Sequence, residues 1–282
     1  MRTLLTSVRD WLALLVLLVL PTSLIPAWGA TYTLAVVPQY TAVDIGLRWA
    51  PVLERLAKET GITLQIRSAA SIPEFETEFL SGIPDFVYLN PYHMVMASKA
   101  QSYRPLLRSV QPLSGILVVK KGGNIKQLAD LEGSTIAFPA PNAFGASLYM
   151  RALLSEREKI NFTPTYVGTH QNVYRHILHN EAQAGGGIES TLEKEPAGVQ
   201  TAMTVLHRTP NTASHPLAVH PRVPKQAVDQ VLQALRHLAS TPEGKKMLQT
   251  IELDDAIPAD YSRDYAPLES LRLDRYAVSK KK

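Results

Sequence analysis

The chain has 282 residues, of which 45% are hydrophobic and 19% charged, with a formal net charge of +4. This is a globular composition, long enough for one large domain or two modest ones, and too apolar for a disordered chain. The mild charge comes without a basic stripe interleaved with aromatics, which argues against a nucleic-acid partner. The absence of cysteine excludes disulfides, a thiol nucleophile and a lipid-anchored cysteine.

Residues 1–29 read as a signal peptide. Arg2 and Arg9 supply a positive start, Trp11 to Leu20 an apolar core closed by Pro21, and Ala27 and Gly29 the small residues of a cleavage point. Cleavage is expected after Gly29, with Ala30 as the alternative; the apolar run is too short for an ordinary spanning helix. Export to the periplasm follows, with an uncleaved anchor as the other reading of the same segment.

From there strands and helices alternate. Tyr32 to Val37 reads as a strand ended by Pro38-Gln39-Tyr40. Asp44 is placed to cap a helix running to about Thr60, with Ile45, Trp49, Val52, Leu53 and Leu56 on one face. Ile62 to Ile66 is a strand, Ser71 and Pro73 open a helix, and Asp85 to Leu89 is a strand leading into Asn90-Pro91-Tyr92-His93 and a short helix. Leu106 to Val110 and Ile116 to Val119 are further strands. The alternation and the continuous apolar strands predict mostly parallel sheets covered by helices on both faces. In such sheets ligands bind beyond the carboxyl ends of the strands.

From Gly122 the pattern repeats on a second sheet. Ile125 to Leu131 is a short helix, and Thr135 to Phe138 a strand stopped by Pro139 and Pro141. Asn142 then stands where an N-cap belongs, before a helix over Ala143 to Leu154. The free amides of that helix start make an anion site, or else the stretch is an ordinary strand-to-helix corner. Phe162 to Val167 is a strand ending in Gly168-Thr169-His170, and Gln171 to Asn180 a helix. Ala182 to Gly187 is a small-residue strand, whose glycines fit a close approach of backbone to a ligand or to the opposite half of the molecule. Thr201 to His207 and Leu217 to Val219 are strands. Helices over Lys225 to Ser240 and Pro242 to Thr250 follow, then a less regular stretch rich in tyrosine.

At Ile125 to Ala137 the order I-x-x-x-x-D-L-x-G-x-x-x-A resembles a segment of the two-lobe, type II periplasmic solute-binding proteins. With Asp85 to Tyr92 and Gly168-Thr169-His170, the chain is similar to the branch that binds phosphonate, phosphite and phosphate for ABC importers. The resemblance runs over roughly Tyr32 to Pro267. It implies two Rossmann-like α/β lobes joined by crossovers near Leu113 to Gly115 and Arg208 to His215. Lobe one would be 31–114 plus 212–282, and lobe two 115–211.

The resemblance also implies a ligand site in the cleft. The aromatic wall would come from Tyr40, Tyr88 and Tyr92, with Asn90 among them. Asn142, Ala143, Phe144 and Gly145 would supply the helix start, where relatives carry Ser-Thr-Ser. Backbone donors survive that change and hydroxyls do not, though Ser147 one turn on could restore one. His170 falls on the family's ligand-contacting histidine, Glu189 near an acidic residue that meets a ligand amine in some members, and His215 where the second crossover returns to the cleft. Each also has a plain structural reading as a cap, core or surface residue, and Phe144 reads either as lobe packing or as a ligand contact. Several histidines in a cleft point to anion binding that strengthens as pH falls. Convergence of His93, His170, His215 and Glu189 would resemble a metal site, but none has the short paired spacing of zinc motifs, so no metal or other cofactor is expected.

The sequence holds no G-x-S-x-G, no H-E-x-x-H and no Ser-His-Asp order, so it does not read as an enzyme. The expected role is a monomeric periplasmic binding protein that passes a small anion to the membrane permease of an ABC importer. A sensor of the same fold reporting to a membrane kinase is the alternative.

Overall fold

The computed structural model describes residues 29–278. The expected signal segment up to Trp28 and the closing lysines lie outside the described residues.

The first part of the chain is β1 (Thr31–Val36), α1 (Ala42–Thr60), β2 (Thr63–Arg67), α2 (Ile72–Leu80), β3 (Phe86–Tyr88), α3 (Pro91–Gln101) and β4 (Arg104–Arg108). The helix starts are set by side chains. Thr41, rather than Asp44, caps α1 by accepting the Asp44 amide, and Asn90 caps α3 by accepting the His93 amide at 2.8 Å. The middle part gives β5 (Gly115–Lys120), β6 (Thr135–Phe138), β7 (Thr163–Tyr166), α5 (His170–Leu178), β8 (Ala184–Ile188) and β9 (Met203–Arg208). Two short helices after β8, α6 (Glu189–Glu193) and α7 (Ala197–Thr201), are not apparent in the sequence pattern. The chain then returns through β10 (Pro216–Val219), α8 (Lys225–Ser240), α9 (Pro242–Thr250) and β11 (Ile257–Pro258).

Two sheets result. Lobe one holds six strands in the order β11-β4-β10-β3-β1-β2, and lobe two five in the order β7-β6-β8-β5-β9. Neither is mostly parallel as expected. β1 runs parallel to β2 and β3, and β6 parallel to β7 and β8, but β10 and β5 run antiparallel to both of their neighbours. The reason is topological. A parallel neighbour needs a helical crossover, whereas β5 and β10 are each entered directly from the other lobe.

The two crossovers lie side by side. Leu113 and Thr212 exchange backbone hydrogen bonds of 2.9 Å each, and the Gly115 amide donates to Thr209 Oγ1 at 2.8 Å. The C-terminal end adds a non-covalent link between the lobes. Arg151 Nη2 donates to the Tyr276 carbonyl at 2.8 Å, the Val278 amide donates to Asn142 Oδ1 at 2.9 Å, and the Tyr276 hydroxyl donates to Glu156 at 2.8 Å.

The glycine run in β8 serves packing inside lobe two, not approach to a ligand or to lobe one. A Cβ at Gly185 would sit 2.3 Å from Val173, and one at Gly187 2.5 Å from the Tyr174 hydroxyl, both on α5. On the other face, a Cβ at Gly186 would lie 1.8 Å from the Ala146 carbonyl, and one at Gly115 1.9 Å from the Gly145 carbonyl. The helix that starts at Phe144 is thereby seated directly on β5 and β8.

Candidate functional site: a cavity between the lobes

A narrow cavity of about 20 Å³ lies between the two sheets. Lobe one supplies Val37 to Gln39 beyond β1, Ile72 at the start of α2, and Asn90 beyond β3. Lobe two supplies Pro139 and Ala143 to Ala146 beyond β6, Gly168 and His170 beyond β7, and Ile188 at the end of β8. Leu113 and His215 come from the crossovers. Both sheets thus aim strand ends at one space, as the strand-end rule requires.

The helix start after β6 is its principal source of donors. The helix runs through two wide-turned stretches, Phe144–Tyr149 and Leu153–Arg157, around one α-turn, α4 (Met150–Ala152). The amides of Ser147 and Leu148 both reach the Ala143 carbonyl, at 2.8 and 3.0 Å. The preceding amides of Phe144, Gly145 and Ala146 have no acceptor among the described residues. Asn142 is not the cap. Ala143 holds that position, and its methyl group offers no acceptor to the amides that follow. A capping oxygen would have occupied a donor that an anion needs.

Asn142 instead enters a buried cluster shared by the lobes. Its Nδ2 donates to Glu76 Oε1 and Oε2 at 2.8 and 3.1 Å and to the Val278 carbonyl at 3.0 Å. Asn90 Nδ2 lies 3.3 Å from the Asn142 carbonyl, and His93 Nε2 lies 3.0 Å from Glu76 Oε1. Glu76, Asn90, His93 and Asn142 are all at most 5% exposed. Glu76 escaped the sequence reading, although it occupies the apolar stripe of α2 with Ile72, Phe75 and Phe79. A carboxylate in such a stripe signals a buried partner.

The two cavity histidines are buried as well. His170, behind the Thr169 cap of α5, has Nδ1 3.4 Å from Thr191 Oγ1; His215 Nε2 is 3.2 Å from Gln39 Nε2. Burial lowers each from 6.5 to about 4, against the opposing pull of Glu252. Both are therefore neutral at pH 7 in the unliganded protein and bring no standing positive charge to the cavity.

Of the remaining expected residues, Phe144 alone lines this cavity. Tyr40 turns its hydroxyl to Glu252 at 2.9 Å, with the Arg48 guanidinium 4.2 Å from its ring centre. Tyr88 stacks on His215 at 5.7 Å and packs edge-on against Trp49. Tyr92 is buried in the lobe-one core. Ser147 Oγ donates to the Pro141 carbonyl at 3.2 Å and accepts from Arg151, so it restores no donor to the cavity. Glu189 is paired with Arg208 through two contacts, one of 2.9 Å, in a wider space of about 590 Å³ beside the crossovers. Phe144 lines the cavity and belongs to a buried apolar cluster that continues into lobe one.

Lys194 and Glu252 were missed. Lys194 Nζ reaches Glu252 at 2.6 Å and the Tyr40 hydroxyl at 3.1 Å, bridging the lobes. Glu252 stands in an acidic stretch that reads as a solvated loop, so composition masks it. Among the described residues, no group of three or more His, Asp or Glu could hold a metal ion.

Two α/β sheets joined by paired crossovers around such a cavity make the type II periplasmic binding-protein architecture, and solved structures agree. A binding protein component of an ABC phosphonate transporter from Pseudomonas aeruginosa superimposes with a TM-score of 0.78 at 12% identity, covering 88% of this chain and 87% of that one. PhnD1 from Prochlorococcus marinus, solved with methylphosphonate, superimposes with a TM-score of 0.77 at 14% identity, covering 88% and 99%. The chain belongs to the family of periplasmic substrate-binding proteins of phosphonate ABC transporters, whose pattern it matches over residues 34–265. It is also 22% identical over 182 residues to the phosphate-import protein PhnD of Mycolicibacterium smegmatis, a match taking in 58% of this chain and 57% of that relative. The chain thus matches less than two thirds of that relative's length.

Proposed function

We propose that the protein captures a small phosphonate-like oxyanion in the interlobe cavity, in the periplasm, and hands it to the permease of an ABC importer. The observation that carries this reading is the cluster of amides at Phe144, Gly145 and Ala146, unpartnered among the described residues and turned to the same cavity as His170. Hydrogen bonds to a charged acceptor contribute about 1.5–3 kcal/mol each, so three amides suffice for useful affinity without the hydroxyls of Ser-Thr-Ser. The helix dipole favours negative charge at the same place.

Lobe one (31–114 with 212–282) and lobe two (115–211) would open and close about the Leu113 to Gly115 and Arg208 to His215 crossovers, admitting ligand and then burying it. The apolar part of the wall, Val37, Ile72, Phe144 and Ile188, fits a small organic substituent better than a second charged group.

The test is a thermal-shift and calorimetric series on the exported protein with methylphosphonate, phosphite, phosphate, sulfate and a neutral amino acid. A phosphorus oxyanion at 100 times its dissociation constant should stabilise by about 2.7 kcal/mol. Absence of any response to the phosphorus oxyanions refutes the reading.

A further inference from the structure

We infer that His170 presents a hydrogen-bond acceptor, not a donor, to the cavity, so that the site selects an oxyanion still carrying an O–H, such as a phosphonate monoanion, over one without a proton. This inference rests on the oxyanion reading above and specifies its ligand.

The inference follows from proton accounting around Thr191. Its hydroxyl has one proton to give. Thr191 Oγ1 lies 2.7 Å from the Ile188 carbonyl, which can only accept, so the proton is committed there. The Tyr174 hydroxyl, 2.8 Å away, must then donate to Thr191, and burial favours its protonated form. The remaining neighbour is His170 Nδ1 at 3.4 Å, a long contact that is a hydrogen bond only if Nδ1 donates, because the hydroxyl proton is already committed. A neutral imidazole carries one N–H, so Nε2 is left as a lone pair.

His170 Nε2 has no partner among the described residues, and its ring lines the cavity. The charged or titratable groups acting on it are Glu252 beyond α9 and His215 before β10, with Tyr174 on its own helix. Burial outweighs the pull of Glu252 and keeps the ring neutral.

A lone pair at this place repels a bare oxyanion oxygen and accepts from a P–OH. The amides of Phe144 to Ala146 hold the ligand's charged oxygens while His170 reads its proton. Thr191 is a positioning residue, since it fixes the tautomer and does not line the cavity.

Methylphosphonate and methanesulfonate make the decisive pair. At mildly acid pH they share shape and a single negative charge, and only the first has an O–H. Calorimetry on the exported protein should find methylphosphonate bound at least about 100-fold more tightly, as a site that pairs with a ligand hydroxyl discriminates. Its affinity should fall about tenfold per pH unit above its second ionisation. Thr191→Val should shrink the preference at least tenfold by releasing the tautomer, while Thr191→Ser preserves it. Nitrogen NMR of the unliganded protein should show His170 protonated at Nδ1. Equal affinities for the two ligands, affinity unchanged through the second ionisation, or a proton on Nε2 overturns the inference. If the NMR is as expected but no phosphorus oxyanion binds, the oxyanion reading falls, and the selectivity inference with it.

Discussion

Two polar regions lie between the lobes, and they differ in how much hydrogen-bonding capacity is already used. In the Glu76 cluster the protein answers the polar groups of Glu76 and Asn142, since Asn142 and His93 both reach Glu76 and Val278 and Asn90 satisfy Asn142, and leaves His93 Nδ1 as a single buried nitrogen without a partner. In the adjoining cavity, three amides and one imidazole nitrogen face open space. Both regions contain a buried histidine, and Asn90 belongs to both. The two regions thus differ in how many unused groups they gather in one place, not in residue type.

Substitutions can separate the two. The largest effect is expected from Glu76→Ala, which leaves His93 and Asn142 buried without their acceptor. Stability should fall by about 3–5 kcal/mol in urea unfolding. A loss below about 1 kcal/mol would mean that the cluster is not a lock.

His170→Ala should do the reverse. Affinity for a phosphorus oxyanion should drop by about 1.5–3 kcal/mol, roughly 10- to 150-fold, while the melting temperature stays within a few degrees of wild type. Unchanged affinity in calorimetry would remove His170 from the site.

Acid should weaken the cavity walls themselves. Above pH 6.5 the imidazoles are neutral in both folded and unfolded chains, but between 6.5 and about 4 only the unfolded chain takes up their protons. The unfolded state then binds more protons, so stability falls as pH falls, by about 2 kcal/mol per histidine at pH 5. Chemical denaturation from pH 7 to 5 should show this slope, and His215→Gln should reduce it by about half, His170 supplying the rest. An unaltered slope in that variant would contradict the assignment.

Lys194→Ala should have the smallest effect. The Lys194 and Glu252 side chains are 32% and 19% exposed, so their interlobe ion pair contributes no more than about 1 kcal/mol. Double-mutant cycles with Glu252→Gln measure it; a coupling well above that figure would make the bridge a third region of consequence.

Most of the fold and the position of the cavity are legible in the sequence. The strand ends at Pro38-Gln39, Pro139 to Gly145 and Gly168 to His170 announce themselves because proline, glycine and capping residues concentrate where strands stop. All three meet at the cavity. Side-chain directions are less legible, because their partners are distant. Asn142 looks like a cap until Glu76 and Val278 are brought beside it. Tyr40 looks like a cavity wall until Glu252 and Lys194 draw its hydroxyl away. Strand direction in β5 and β10 depends on the crossing between lobes, which local periodicity does not encode.

The C-terminal link has a practical consequence for handling the protein. The carbonyl of Tyr276 and both backbone polar groups of Val278 are hydrogen-bonded to lobe two. An affinity tag fused after Lys282 therefore begins only a few residues from atoms that hold the lobes together. A tag placed ahead of β1 leaves that fastening intact and is the better choice for binding assays.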